Sequence, residues 1–328
     1  MDCLICCLKF YADKFIPMTP VLSSTKELLS YYQHALKAVR IRTIGFQLAV
    51  MLFFGLLAYF AQKPALYGIG LLGVVTILIF NRNRYKKLYS RISLFKAPFP
   101  TQWREILTKH SLFFRNLDDR RRDVFEKRVQ IFLHEKNIDG IDTDIDDEIR
   151  LLVAASAIIP TFAFPAFAYP ELNEVLVYPK SFSQKFEIDG HDKSSENIEG
   201  MVGNRYMNHS LLLSKPSLLA GFNGRKGEEN VGIHEFVHLL DREDGDTDGI
   251  PERLVENGFA LPWLHLIKKE MDRIRKGNSD INPYAITNNA EFLAVVSEYF
   301  FSDPEEFQEK HPELYQFLST VYHQKLIK

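Results

Sequence analysis

Two apolar runs stand out from an otherwise mixed chain. Thr43 to Gln62 reads TIGFQLAVMLFFGLLAYFAQ and Ala65 to Asn81 reads ALYGIGLLGVVTILIFN, both without a charge. Only Lys63 and Pro64 separate them. A bilayer core is about 30 Å thick and needs roughly 20 apolar helical residues. A helix packed in a soluble core usually keeps a polar face, and neither run has a charged one. The pattern therefore predicts a transmembrane helical hairpin over 43–81. Upstream, Leu28, Leu29, Tyr32, Leu36 and Val39 recur at helical spacing, so 23–42 is expected to lead as a helix into the first span. From about Thr101 apolar and charged positions alternate as in a soluble domain. Helices are predicted over 118–136, 144–158, 232–240, 262–276, 290–301 and 315–325. Pro160, Pro165 and Pro170 are expected to break the second of these. Glu174 to Tyr178 reads as a strand, Leu211 to Leu213 as a second, and 194–203 as a loop.

Composition adds exclusions. Across 328 residues, 46% are hydrophobic and 25% charged, which excludes a disordered chain, a collagen and a many-span transporter. Forty Lys and Arg meet 42 Asp and Glu, so no direct nucleic-acid binding is expected from the total. The local charge is more telling. Lys37, Arg40 and Arg42 precede the hairpin, and Arg82, Arg84, Lys86, Lys87 and Arg91 follow it. Both flanks are basic, which puts both in the cytoplasm. The expected location is the inner membrane, with two spans and with both termini and the later domain cytoplasmic. The basic stretch 82–97 reads more simply as an orientation signal than as a lipid-specific site. The first run is too long and too far from Met1 for a cleaved signal peptide. Cys3, Cys6 and Cys7 are the only cysteines, so neither a disulfide framework nor a cysteine zinc site is available to the main domain. They read as a reduced, membrane-proximal terminus, with acylation as the sharper alternative. The organisation that results is a cytoplasmic segment at 1–42, the hairpin at 43–81, a basic linker at 82–99 and a soluble domain at 100–328.

The chemistry centres on Ile233-His234-Glu235-Phe236-Val237-His238-Leu239-Leu240-Asp241. Histidines four apart share one face of a helix, where their imidazoles can share a zinc ion at about 2.0–2.1 Å each. Glu235, beside the first ligand, is placed to take a proton from water and return it to a leaving amine. Apolar Phe236, Val237, Leu239 and Leu240 bury the rest of the helix and fix the ligands. A catalytic zinc needs a third protein ligand and an open position. No other histidine has a diagnostic spacing. Glu291 and Glu298, seven apart in AEFLAVVSEYFF, lie on one helical face and need partners if buried. Asn288 three residues before Glu291 also fits a capping box, and the pattern alone does not separate the two roles.

Four strings carry a family resemblance: GIHEFVHLLDREDGDTDGIP at 232–251, PYAITNNAEFLAVVSEYFFSDPEEF at 283–307, ELNEVLVYPKSF at 171–182 and LDDRRRDVFEKRVQIFLHEKNI at 117–138. They resemble the Mlc titration factor A (MtfA) family of metallopeptidases over roughly 100–325, with the hairpin outside the match. The resemblance implies an α+β, zincin-like fold of the gluzincin arrangement. It implies that His234, His238 and Glu291 hold Zn2+, that Glu235 is the catalytic base, and that Tyr284 assists by donating to a developing oxyanion. The competing reading of Tyr284 is a packed loop tyrosine after Asn282-Pro283. Glu298 then orients a ligand imidazole.

Some features depart from the family or stay apart from it. Family members can carry a histidine in the loop before the edge strand, whereas Glu199 to Asn204 here has none and His209 comes later. An extra self-inhibitory ligand is therefore not expected. Asp244-Gly-Asp246-Thr-Asp248-Gly249 has the first half of a calcium loop, but Val255 stands where the bidentate Glu belongs and Glu256 is displaced by one. It reads as an exposed loop near the cleft. Asp241 reads either as an imidazole partner or as a helix-end carboxylate. The expected function is a membrane-anchored zinc peptidase whose peptide substrate pairs with an edge strand around Leu211 to Leu213. The alternative is a regulatory module that sequesters a protein partner, such as a transcriptional repressor, at the membrane. An intramembrane protease is excluded by placement, because HEFVH lies about 150 residues beyond the spans in a polar context.

Overall fold

Each apolar run continues into a much longer helix in the computed structural model, which describes residues 24–164, 167–179, 206–207, 209–223, 229–251 and 260–327. The terminal cysteines, the 199–204 loop and Val255 and Glu256 lie outside these residues. Helix α1 spans Thr25–Ala61 and α2 spans Ala65–Leu94. At 1.5 Å per residue they are about 55 and 45 Å long, well beyond a bilayer core. Ser24 caps α1 by accepting the Glu27 amide, and Gln62 closes it in the left-handed region. Residues 82–94 of the basic stretch are helical, the last turns of α2. No Gly or Pro falls between Asn81 and Pro98, so the helix runs on through the basic stretch to Leu94.

The two helices and the residues flanking them, 23–98, form one compact unit. Small residues let them approach closely, as between membrane helices. A Cβ at Gly70 would lie 2.9 Å from the Phe54 Cβ, and one at Gly73 would lie 3.2 Å from Val50. Farther from the turn, the Arg40 guanidinium donates to the Tyr89 hydroxyl at 2.7 Å, and Arg91 lies over the Tyr32 ring. Outside this seam Phe46, Leu52, Phe53, Phe60, Leu72 and Ile79 are exposed. Only 6% of the apolar window of each helix is buried. By length and composition both helices can cross a membrane. A helix from a soluble core would meet the length test but not the exposure.

Residues from Phe99 onward belong to a separate unit. Helices α3 (Thr101–His110), α4 (Leu112–Asn116) and α5 (Asp119–Glu135) lead into strand β1 (Asn137–Gly140) and helix α6 (Asp147–Thr161). Strands β2 (Glu174–Tyr178), β3 (Tyr206–Met207) and β4 (Ser210–Ser214) complete a sheet of order β1-β2-β4-β3. The β1, β2 and β4 strands are parallel and β3 is antiparallel to β4. Helices α7 (Lys215–Gly221), α8 (Val231–Asp241), α9 (Ala260–Arg275), α10 (Asn289–Ser302), α11 (Pro304–Lys310) and α12 (Pro312–Val321) follow. The unit is α+β, and mostly helical. Its core gathers Val175, Val177, Leu211 and Leu213 from alternate strand positions and almost all of α6. Asp146 caps α6 by accepting the Ile149 amide.

Two expectations change here, and one strand is added. Pro160 does not break α6 but sits in its last turn, where it removes one amide from the ladder just before the helix stops. Residues 137–140, just past the predicted 118–136 helix, form strand β1. That strand is too short to show alternation, and only Ile138 is buried. Among the described residues Leu211 is not at the sheet edge, because β3 pairs with Leu211 and Ser210.

Candidate metal centre

Helix α8 is fixed before any chemistry is considered. Asn230 caps it, its Oδ1 accepting the Ile233 amide at 3.0 Å. Gly232 is not the entry to the helix but a contact within it, since a Cβ there would lie 2.1 Å from the buried Ser156 hydroxyl of α6. Ile233, Phe236, Val237 and Leu240 are buried on either side of the histidines. Burial of side chains this size stabilises by about 1.5–3 kcal/mol each, so the face carrying His234 and His238 cannot turn cheaply.

The two Nε2 atoms lie 3.1 Å apart. Glu291 comes from the first turn of α10. Asn288 Oδ1 accepts the Glu291 amide at 2.9 Å, so half of the capping box forms. The Glu291 carboxylate faces the histidines instead of completing the box. Its Oε2 lies 3.0 Å from His234 Nε2 and 3.3 Å from His238 Nε2. Among the described residues this trio is the one group of three or more such side chains whose donor atoms converge, all within 4.8 Å.

The donor set fits zinc on two counts. Two imidazoles and one carboxylate are a known catalytic zinc combination. Ligands held at 2.0–2.1 Å in tetrahedral directions stand about 3.3 Å apart, and the three separations here are 3.0, 3.1 and 3.3 Å.

Glu298, two turns beyond Glu291, sits behind this group. Its Oε1 is 2.5 Å from His234 Nδ1, and its Oε2 accepts the Asn230 amide at 2.9 Å. One carboxylate thus fixes the direction of the first imidazole and the start of its helix. The Asn230 amide was not singled out by sequence reasoning. Its signal was present, an Asn just before a helix and three residues before a buried Ile. His238 Nδ1 is buried and has no hydrogen-bond partner among the described residues.

The electrostatics follow the geometry. Burial alone would lower the His234 pKa, but Glu298, Glu291 and Glu235 outweigh it and raise it to about 10. Burial would raise Glu291, yet His234 and His238 hold it well below the usual carboxylate range. A cation replacing the imidazole proton would meet the same carboxylates, which is the linkage expected of a metal site.

The remaining candidates lie nearby. Glu235 is buried on α8 beside the first histidine. The Tyr284 ring lies 6.2 Å from the His234 ring, in the 3-10 turn Pro283–Ile286. Asp241 bonds the loop that follows α8. Its Oδ2 accepts the Gly249 amide at 2.9 Å. Gly249 has φ +78 and packs against the Asn289 backbone, where a Cβ would lie 2.3 Å from the carbonyl oxygen. The 241–249 loop therefore joins the end of α8 to the start of α10. Asp248 accepts the Ile250 amide, a local bond that serves the turn itself.

The model of a family described as glucose-regulated metallopeptidase M90 matches residues 81–323. An uncharacterized protein of Synechocystis is 31% identical over 237 residues, covering 70% of this chain and 86% of that relative. Mlc titration factor A of Pectobacterium atrosepticum is 29% identical over 55% of this chain and 70% of its own length. Its namesake from Cronobacter sakazakii is 28% identical over 63% and 81%.

Proposed function

This chain belongs to the glucose-regulated metallopeptidase M90 family, with Mlc titration factor A among its relatives, and on that premise we propose that it is a membrane-anchored, zinc-dependent peptidase. The observation that carries the reading is the convergence of His234, His238 and Glu291 on one point, with Glu298 behind His234. In this reading the three converging side chains hold Zn2+. When bound, the ion supplies Lewis-acid chemistry, polarising a peptide carbonyl and acidifying water.

The chain's own residues do the rest. Glu235 takes the proton of the attacking water and delivers it to the leaving nitrogen. Tyr284 donates a hydrogen bond to the carbonyl oxygen as charge builds on it. Glu298 keeps His234 aimed by accepting from its Nδ1. The substrate is a peptide or protein. The anchor is the α1–α2 hairpin, whose lipid-facing surface is supported by its exposed apolar side chains. Its basic ends against a lone Lys63 at the turn favour cytoplasmic termini and a cytoplasmic catalytic domain over residues 100–328.

A second reading rests on the relatives' name. Relatives are called Mlc titration factor A, so the domain could act by sequestering a protein partner such as a transcriptional repressor. The two readings part at one side chain. The full chain in mild detergent, wild type beside Glu235→Gln, is assayed for bound zinc and for cleavage of a peptide library. The peptidase reading expects zinc in both and cleavage only by wild type. Undiminished cleavage by Glu235→Gln overturns it, while zinc-loaded protein without cleavage in either form favours the binding module.

A further inference from the structure

The hairpin does something the sequence does not display, which is to bring two basic segments to one level. Gly70 packs on Phe54 and Gly73 on Val50. The same antiparallel register continues past the apolar runs, where Arg40 bonds Tyr89 and Arg91 covers Tyr32. Lys37, Arg40 and Arg42 of α1 therefore stand opposite Arg82, Arg84, Lys86 and Lys87 of α2. Each segment rises only about 8 Å along its helix, about one Debye length at physiological ionic strength. Lys37, Arg40, Arg42, Arg82, Lys86 and Lys87 are exposed. No Asp or Glu occurs between residues 28 and 98, and the one acid of this unit, Glu27, lies ten residues before Lys37. The belt begins where both apolar runs end, at Thr43 and Asn81.

We propose that this two-helix belt is a binding surface for the headgroups of anionic phospholipids. Orientation alone needs only an excess of cations on one side. Seven cations gathered at one depth around both helices, beside an apolar surface, also match a polybasic lipid-binding segment. The phosphates of a zwitterionic lipid carry their own ammonium, so the belt discriminates by net headgroup charge. The inference rests on the membrane-anchored reading.

The full chain is purified in mild detergent, and native mass spectrometry follows its uptake of phosphatidylglycerol or phosphatidylcholine of matched acyl chains. At least tenfold tighter retention of phosphatidylglycerol is expected, weakening as salt rises before volatile-buffer exchange. In a variant with Lys37, Arg40, Arg42, Arg82, Lys86 and Lys87 changed to Gln, the preference is expected to vanish while zinc content stays. Equal retention of the two lipids by the wild type overturns the proposal without recourse to the variant. Persistence of the preference in the variant overturns the assignment to these residues. Carbonate extraction of the full chain from membranes is a separate outcome, which overturns the anchoring reading itself.

Discussion

Residues 23–98 and residues 99–328 solve opposite problems with nearly the same alphabet. The first set carries eleven Lys and Arg against one acid and turns Phe53, Phe60 and Leu72 outward. The second carries 27 Lys and Arg against 39 acids and turns Phe125, Phe236 and Phe292 inward. Near-neutral averages hide this split. The difference teaches that an apolar residue has no fixed meaning until its solvent is known. Phe60 and Phe236 are alike in sequence and unlike in what they hold together.

That contrast can be tested at both ends. The largest effect expected is confined to the second region. Glu235→Gln should lower peptide cleavage by about 10²–10⁴-fold, read in a turnover assay, with zinc content and membrane extraction unchanged. Next comes a matched pair of deletions. Phe236→Ala should destabilise the domain by about 3–5 kcal/mol in chemical denaturation. Phe60→Ala, at a 77% exposed site, should leave the hairpin's resistance to carbonate extraction unaltered. If Phe60→Ala behaved like Phe236→Ala, the outward face would be part of a core and the comparison would fail. A smaller effect concerns support of the metal ligand. Glu298→Ala should weaken zinc binding by about 10–100-fold in competition with a chelator.

The smallest effect is a pH dependence within the acidic domain. His311 Nε2 lies 2.7 Å from Asp280 Oδ1, and its Nδ1 lies 3.8 Å from Glu270. Burial lowers the His311 pKa, but the two carboxylates override it and raise it above its ordinary 6.5. A raised imidazole stabilises the fold below its unfolded pKa, and that contribution fades as pH rises through the folded value. Burial raises Asp280 and Glu270, yet their partners hold both below their ordinary values of 3.8 and 4.5. Their contribution is present above those values and fades on acidification. The cluster should therefore help most between about pH 4.5 and 6.5. His311→Gln is expected to flatten the fall in Tm between pH 6 and pH 9, measured by scanning calorimetry, and an unchanged slope would remove the cluster from this account.

How much of this was legible beforehand depended on whether the signal was local. His234 and His238 are one turn apart, so spacing alone placed them together. The apolar runs likewise announced two long helices, which the structure shows with their apolar side chains exposed. Glu291 was ambiguous because its cap and its carboxylate do different jobs, and the structure uses both through separate atoms. Strand β1 was missed because four residues with one buried side chain carry no period. The bond of Asn230 to Glu298 joins residues 68 apart, and no window along the chain displays that. The belt of cations was visible as two clusters, but their common depth depends on the register of α1 against α2.

The packing of Gly249 on Asn289 has a consequence for how the protein is made. It seats the third donor against a loop that is already finished, while that donor arrives late. Glu291 follows His238 by 53 residues, which at 5–20 residues per second is roughly 3–10 s of synthesis. During that interval the ribosome has made the α1–α2 hairpin and the two histidines but not the third converging side chain. The group that converges on one point is thereby assembled only after both apolar helices and the α8 helix have been made, an order set by the sequence itself.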